Sequence, residues 1–236
     1  MDNSSWPQFN AQILDFEKEG LVTRTFRRLD PERQQAVLQA ILEEAGEVGP
    51  VSLNIKRVAT RAGVSVGSLY QYFRSRAGLM SFAVALCVRR LTDLFDQSKP
   101  YLVGMPLREA ISAYLTYGLE WGRGQGGLIR FFGRAAYQGD PTLTDAVVRP
   151  VATAMRELVQ AMLEAAARRC ELRPSLDLDA VTRAVNTWLI ALGDSQLFPF
   201  LNQYFQVSAD DAPFEKCLQA VLDILVRGLT VPGGVK

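Results

Sequence analysis

The sequence predicts an all-α fold, and three observations carry that prediction. Apolar residues recur at intervals of three and four along most of the chain. Capping residues followed by proline or an acid open one segment after another. No two-residue hairpin turn lies between alternating runs. With 236 residues, 48% of them hydrophobic and 22% charged, the chain is long enough for one or two domains with an ample core.

Residues 1–29 read as an extension ahead of the first regular helix. Asp30-Pro31-Glu32 opens that helix with a cap, a proline at the first helical position and an acid at the positive end of the dipole. Val37, Leu38, Ile41 and Ala45 form its apolar face, and Gly46 and Gly49 are expected to stop it. Asn54 caps a second helix. Ile55, Val58, Ala59 and Ala62 fall on one side of it, and Lys56, Arg57, Thr60 and Arg61 on the other. Gly63 ends it. Ser65 caps a third short helix with Leu69 and Phe73 turned inward. Arg74-Ser75-Arg76 breaks that helix, and Ser75 caps a long fourth one running towards Gln97.

Pro106 opens a helix that ends near the glycine-rich stretch 122–127, and Leu128–Tyr137 forms another. Asp140-Pro141 opens a long helix reaching about Cys170, with Pro150 as a kink or break. Asp177 or Asp179 starts a helix containing Trp188 and interrupted near Pro199. Pro213 opens the last, with Phe214, Leu218, Val221, Leu222 and Leu225 as its apolar stripe.

Several function classes are excluded by composition. The chain has no histidine, which removes histidine triads, imidazole metal ligands and the usual near-neutral general base. Cys87, Cys170 and Cys217 are too far apart for a zinc or redox motif, and read as core residues in a reducing compartment. Neither a metal site nor a cofactor is expected. Gly63-Val64-Ser65-Val66-Gly67 spells a nucleophile elbow, but a helix precedes it where a strand is needed. Gly122, Gly124 and Gly127 spell a dinucleotide fingerprint, again behind a helix, and read as an inter-helix loop. The Asp210-Asp211 pair sits at a helix start, where acids complement the dipole. There is no apolar stretch long enough for a signal peptide or a membrane span, so a soluble cytoplasmic protein that is not an enzyme is expected.

The net charge of +1 averages two unlike parts. Residues 48–92 contain no acid, and hold Lys56, Arg57, Arg61, Arg74, Arg76, Arg89 and Arg90. Such a block is what a polyanion binder presents, although a solvated face would look the same. Local structure favours the former. Two short helices around a glycine turn, packed on a longer preceding helix, describe a helix-turn-helix. The exposed part of its second helix is Val66, Gly67, Ser68, Gln71 and Tyr72.

Residues 52–80, SLNIKRVATRAGVSVGSLYQYFRSRAGLM, resemble the DNA-binding signature of the tetracycline-repressor (TetR/AcrR) family. The matching elements are Val58-Ala59, Ala62-Gly63-Val64-Ser65, Gly67-Ser68-Leu69-Tyr70, Tyr72-Phe73 and Arg74-Ser75-Arg76. Val66 departs from a frequent lysine, and Ala77-Gly78 from a usual acidic pair. The resemblance implies a helix-turn-helix DNA-binding domain at 30–75 and a ligand-binding and dimerisation domain at 76–236. It implies a homodimer on a palindromic double-stranded operator, released by a small apolar or amphipathic effector. A ligand-independent architectural DNA-binding protein is the alternative.

Carried over by position, Asn54, Ser68, Tyr70, Tyr72 and Arg76 would touch phosphates, with Arg74 beside them. Lys56, Val66, Gly67 and Gln71 would lie nearest base edges. The family layout places a cavity among the helices after Pro106. Tyr114, Tyr117, Trp121, Phe131, Phe132, Tyr137, Met155, Met162 and Trp188 are its candidate lining, although residues of this kind are more often simple core. Glu120, Arg130 and Asp194 are unusual charges near apolar runs. Phe214, Leu218, Leu222 and Leu225, with Leu189, Leu197, Phe198, Leu201 and Phe205, exceed what one helix pair buries, which predicts a dimer seam. Arg24, Arg27 and Arg28 suggest a basic arm, unless Leu21, Phe26 and Leu29 pack that segment down.

Overall fold

The computed structural model describes residues 6–49, 52–209 and 213–231. The Asp210-Asp211 pair lies outside these. The order of elements is α1 (Trp6–Lys18), α2 (Arg24–Arg27), α3 (Pro31–Val48), α4 (Ile55–Ala62), α5 (Val66–Phe73), α6 (Arg76–Gly104), α7 (Leu107–Gly124) and α8 (Gly126–Tyr137). There follow α9 (Pro141–Leu143), a π-helical turn (Thr144–Val148), α10 (Arg149–Arg168), α11 (Leu178–Leu197), α12 (Pro199–Phe205) and α13 (Phe214–Leu229). An isolated antiparallel bridge joins Leu172 and Thr230. No described helix is long and apolar enough to cross a membrane.

The predicted caps are in place. Asp30 accepts from Arg33 N, Asn54 from Lys56 N and Arg57 N, Ser65 from Ser68 N, and Asp177 from Asp179 N and Ala180 N. Ser75 Oγ accepts from Gly78 N at 2.9 Å and caps α6. Two breaks differ from expectation. Gly46 does not stop α3, which runs on to Val48. The break expected at Pro150 is a π-helical turn just ahead of it. Proline has no N–H to return to the fourth preceding carbonyl, so the ladder widens there.

The chain divides into two compact units, residues 1–90 with 124–150, and residues 91–123 with 151–236. In the first, α4 and α8 both pack on α3. Gly46 and Gly127 permit the α3–α8 approach. A Cβ at Gly46 would lie 3.0 Å from Gly127 O, and one at Gly127 would lie 3.2 Å from Glu43 N. Gly127, the last glycine of the apparent dinucleotide fingerprint, therefore serves helix packing.

Residues 6–29 are part of this unit. Phe16 and Phe26 are fully buried. Phe26 lies 5.3 Å from Phe73 and 5.6 Å from Tyr72, and Phe16 lies 5.1 Å from Phe82. The guanidinium of Arg89 sits 4.2 Å over the Phe16 ring and pairs with Glu19.

In the second unit, α7, α10, α11 and α13 enclose one core that includes Leu115, Met162, Leu189, Leu218, Leu222 and Leu225. Arg169 ties the end of α10 to the α6–α7 turn through Val103 O and Met105 O, at 2.8 and 2.7 Å. Of the three thiols, Cys87 is buried and Cys217 half-buried, but Cys170 is exposed. Cys170 occupies the left-handed position (φ 59°) just past α10, where no core reaches it.

Candidate nucleic-acid interface

The turn between α4 and α5 is closed by Gly63. Its φ of 65° is a region open to glycine at little cost. Val64 N donates to Ala59 O at 3.0 Å and Gly63 N to Thr60 O at 3.3 Å, the paired bonds of a Schellman ending. Ser65 then restarts the chain as the cap of α5, and its Oγ lies 2.9 Å from both Ser68 N and Ser68 Oγ. The serine of the apparent nucleophile elbow is thus a helix cap.

Leu69 and Phe73 face inward as the spacing requires, which leaves Gly67, Tyr70 and Gln71 exposed on the outer face of α5. Val66 and Ser68 are half-buried. Tyr70 is 45% exposed. Tyr72 is a correction. It is only 7% exposed, with its ring against Phe26, because α2 covers that side of α5. Tyr72 is a core residue and not part of the outer face.

The far end of α5 is held from outside the helix. A helix leaves its last four carbonyls without intrahelical partners. Here Arg74 N donates to Tyr70 O, Thr23 Oγ1 to Gln71 O at 2.7 Å, Thr23 N to Tyr72 O at 2.9 Å, and Ser75 N to Phe73 O at 2.7 Å. Arg74 leaves the helix at φ 64°, and its guanidinium donates to Gly20 O at 3.1 Å. Arg76 Nε donates to Leu53 O at 3.2 Å, beside the Asn54 cap. Two of the expected contact arginines therefore also tie the domain together.

The basic block is not one uniform basic face. Arg57 lies 3.0 Å from the buried carboxylate of Glu44 and 2.7 Å from Glu47, and Arg61 also pairs with Glu47. That hydrogen bond holds the Glu47 carboxyl below its usual range. These acids lie on α3, outside the acid-free stretch, so the pairing was invisible in the local charge count. Lys56 is exposed at the start of α4, and Asn54, Arg74 and Arg76 are exposed as well.

A model of a family described as bacterial regulatory proteins, tetR family, matches residues 37–81, which span these three helices. The match takes in part of α3, all of α4 and α5, and the start of α6. Relatives agree. Over 87 residues, 37% of this chain and 43% of that protein, the chain is 34% identical to the HTH-type transcriptional regulator BetI 1 of Chromohalobacter salexigens. Over 118 residues, 50% of this chain and 47% of that protein, it is 30% identical to the HTH-type transcriptional repressor KstR of Rhodococcus jostii. The chain spans less than half the length of these curated relatives.

Solved structures share the fold more widely. A TetR family transcriptional regulator from Chloroflexus aurantiacus aligns with TM-score 0.57 at 22% identity, covering 89% of this chain and 99% of that one. FadR of Bacillus subtilis, solved with stearoyl-CoA, aligns with TM-score 0.62 at 15% identity, covering 82% and 98%.

Beyond residues 37–81, the other predicted residues fall in both units. Phe131, Phe132 and Tyr137 lie on α8 in the first unit, with Phe131 fully buried. Tyr114, Tyr117, Trp121, Met155, Met162 and Trp188 lie in the second. There Met162 is core, while Tyr117 and Trp188 are exposed.

Of the three unusual charges, Glu120 and Arg130 are exposed, but Asp194 is 9% exposed. Burial, and next the charge of Asp194, push the Tyr114 phenol well above its usual value. Tyr114 is half-buried against the core of the second unit, to which Asp194 also belongs. The acid inside the apolar run 188–198 was the available signal.

The predicted seam is also corrected. Leu189, Phe214, Leu218, Leu222 and Leu225 belong to the core of the second unit, and Phe198 is buried. Leu197 and Leu201 are half-buried, and Phe205 is exposed. The stripe on α13 is consumed within the chain because α7, α10 and α11 surround it. The large apolar residues left outside on the last helices are Trp188, Phe200, Tyr204, Phe205 and Ile224.

Proposed function

We propose that the protein is a sequence-specific DNA-binding transcriptional repressor, acting as a homodimer on a palindromic operator and released by a small effector. The observation that carries this reading is the outer face of α5, with Gly67, Tyr70 and Gln71 exposed at the tip of a tetR-family domain. In this reading α5 enters the major groove. Gln71 meets a base edge, where glutamine pairs bidentately with adenine, and Lys56, Val66 and Gly67 lie nearest the neighbouring bases. Asn54, Ser68, Tyr70, Arg74 and Arg76 engage phosphates. Residues 6–29 act mainly by fixing α5 through Thr23 and Phe26.

The dimer forms through the exposed apolar residues of α11 to α13, Trp188 and Ile224 foremost at 41% and 59% exposure. The effector acts on the second unit, where Tyr114 and Asp194 supply the polar anchor. The relatives named regulators and repressors, and FadR with its stearoyl-CoA, support a ligand-controlled repressor in preference to an enzyme.

Selection from a randomised duplex pool tests the DNA reading. Wild type should yield an inverted repeat with half-sites about one helical turn apart. Gln71→Ala should relax one position in each half-site, and Lys56→Ala should lower the salt slope by about one. An unchanged motif for Gln71→Ala would remove that residue from base readout. Absence of any enriched repeat would overturn the function. In sedimentation, Ile224→Glu should shift the dimer to monomer.

A further inference from the structure

The buried face of α3 contains one residue that apolar packing does not account for. Val37, Leu38, Ile41, Leu42 and Ala45 line that face, and Glu44 stands among them with its side chain fully buried. Among the described residues neither of its carboxylate oxygens accepts a hydrogen bond. Its charge is answered from α4 instead. Glu44 Oε2 lies 3.0 Å from Arg57 Nε and 3.6 Å from Arg61 Nη2, two guanidinium groups one helical turn apart. Taking ions out of water costs more than a buried ion pair commonly returns, and a well-packed apolar side chain of similar volume is often no worse. Stability therefore does not explain an acid at position 44.

Orientation does. α4 buries Val58 and Ala59, small side chains that fix neither its rotation nor its position along α3 sharply. Apolar burial carries no direction of its own. A carboxylate held between two arginines does. A slip of α4 by one residue would carry both guanidinium groups about 1.5 Å along the axis, and the buried charge would lose its close contact. The same helix begins with Lys56 behind the Asn54 cap, and the turn at Gly63 joins it to α5. The seating of α4 on α3 therefore sets where the residues facing DNA stand.

We propose that Glu44 is a positioning residue for DNA recognition, acting through Arg57 and Arg61 to hold α4, and with it α5, in the one pose on α3 that matches the operator. The inference rests on the reading of α4 and α5 as the DNA-facing helices. Glu47 pairs with the same two arginines from the surface. At 43% side-chain exposure water screens that pairing, so it holds them less firmly.

The deciding variant is Glu44→Leu in the full-length protein, because charge and position predict opposite results. Removing an acid makes the protein more positive, which by itself tightens binding to any duplex. Loss of positioning weakens operator binding alone. Glu44→Leu should bind the selected operator about tenfold or more weakly than wild type, and a random duplex at the same salt equally or more tightly. Its urea midpoint should stay within about 0.5 M of wild type. Glu44→Leu/Arg57→Leu should lose no more than about threefold further, since the two residues act as a pair. Without DNA, the backbone amides of residues 58–62 should exchange with solvent about tenfold or more faster than in wild type. Operator binding as tight as wild type, equal losses on operator and random duplex, or unchanged exchange at 58–62 would overturn the proposal. So would loss of folding in both Glu44→Leu and Glu44→Met, which would make the acid a prop of the fold and not a guide for α4. If wild type enriches no repeat, the operator reading fails, while the exchange measurement still decides whether Glu44 seats α4.

Discussion

Replacing Gly78 by alanine probes how closely the start of α6 is pressed against the end of α5. A Cβ at this position would lie 2.1 Å from Phe73 O, 3.3 Å from Phe73 C and 3.4 Å from Ser75 Oγ. Carbon and carbonyl oxygen rest at roughly 3.3–3.6 Å even in C–H···O contacts, so one backbone must move by about 1 Å. Phe73 O cannot retreat freely. It accepts from Ser75 N at 2.7 Å, and its side chain is buried 5.0 Å from Phe82. In an unconstrained helix, Gly→Ala stabilises by about 0.5–1 kcal/mol. Overpacking costs about 1–3 kcal/mol, occasionally more. The clash here is with backbone, so the upper part of that range applies and the net effect is a loss of about 1–2 kcal/mol. With a urea m-value of about 2 kcal/mol/M, the midpoint should fall by roughly 0.5–1 M. Operator affinity, measured where the variant is folded, should fall at least tenfold because α5 is displaced. A higher midpoint for Gly78→Ala would refute the close approach and the reasoning from it.

Phe26→Ala should cost about 3–5 kcal/mol through the cavity left among Tyr72, Phe73 and Phe82. Calorimetry should show a melting temperature lower by roughly 10 °C or more, whereas an unchanged midpoint would mean that residues 6–29 do not pack on the domain. Thr23→Ala should cost about 1 kcal/mol by removing a cap and the bond to Gln71 O, and Thr23→Ser should restore it in urea titrations. The pH profile follows from depressed carboxyls and the lack of histidine. Hydrogen bonds from Arg61, Lys18 and Arg183 lower Glu47, Asp15 and Asp179 respectively. Their stabilisation is complete above the ordinary carboxyl values of 4.5 and 3.8 and is lost as pH falls through the lowered ones. Stability should be flat from about pH 5.5 to 8 and decline below about 4.5; a transition near 6.5 would contradict the sequence itself, which has no group of that kind.

Local chemistry was legible in the chain. Asp30, Asn54, Ser65, Ser75 and Asp177 cap helices because the carboxylate, amide or hydroxyl sits one or two bonds from the backbone it serves. Gly63 marks the turn because few other residues accept its φ. The inward face of α5 followed from helical period, and the acid-free stretch overlaps the segment that matches the tetR-family model. Tyr72 was misplaced because period alone cannot show that α2 covers a third face of an eight-residue helix.

The remainder depends on which elements meet across the chain, and no local pattern encodes that. Glu44 and Glu47 neutralise Arg57 and Arg61 only because α3 lies against α4. Gly127 reads as a loop glycine until Glu43 N stands 3.2 Å from its would-be Cβ. The apolar stripe of α13 is equally fit for a partner subunit or for its own core. Burial against α7, α10 and α11 decided for the core and left Trp188 and Ile224 outside. The sequence by itself determined the helices from α3 to α6, their caps and the segment that matches the tetR-family model, because those rest on neighbours within four residues. Tertiary packing alone decided which apolar faces are spent inside the chain and which, as at Trp188 and Ile224, remain open, because hydrophobic burial has no direction until a second surface supplies one.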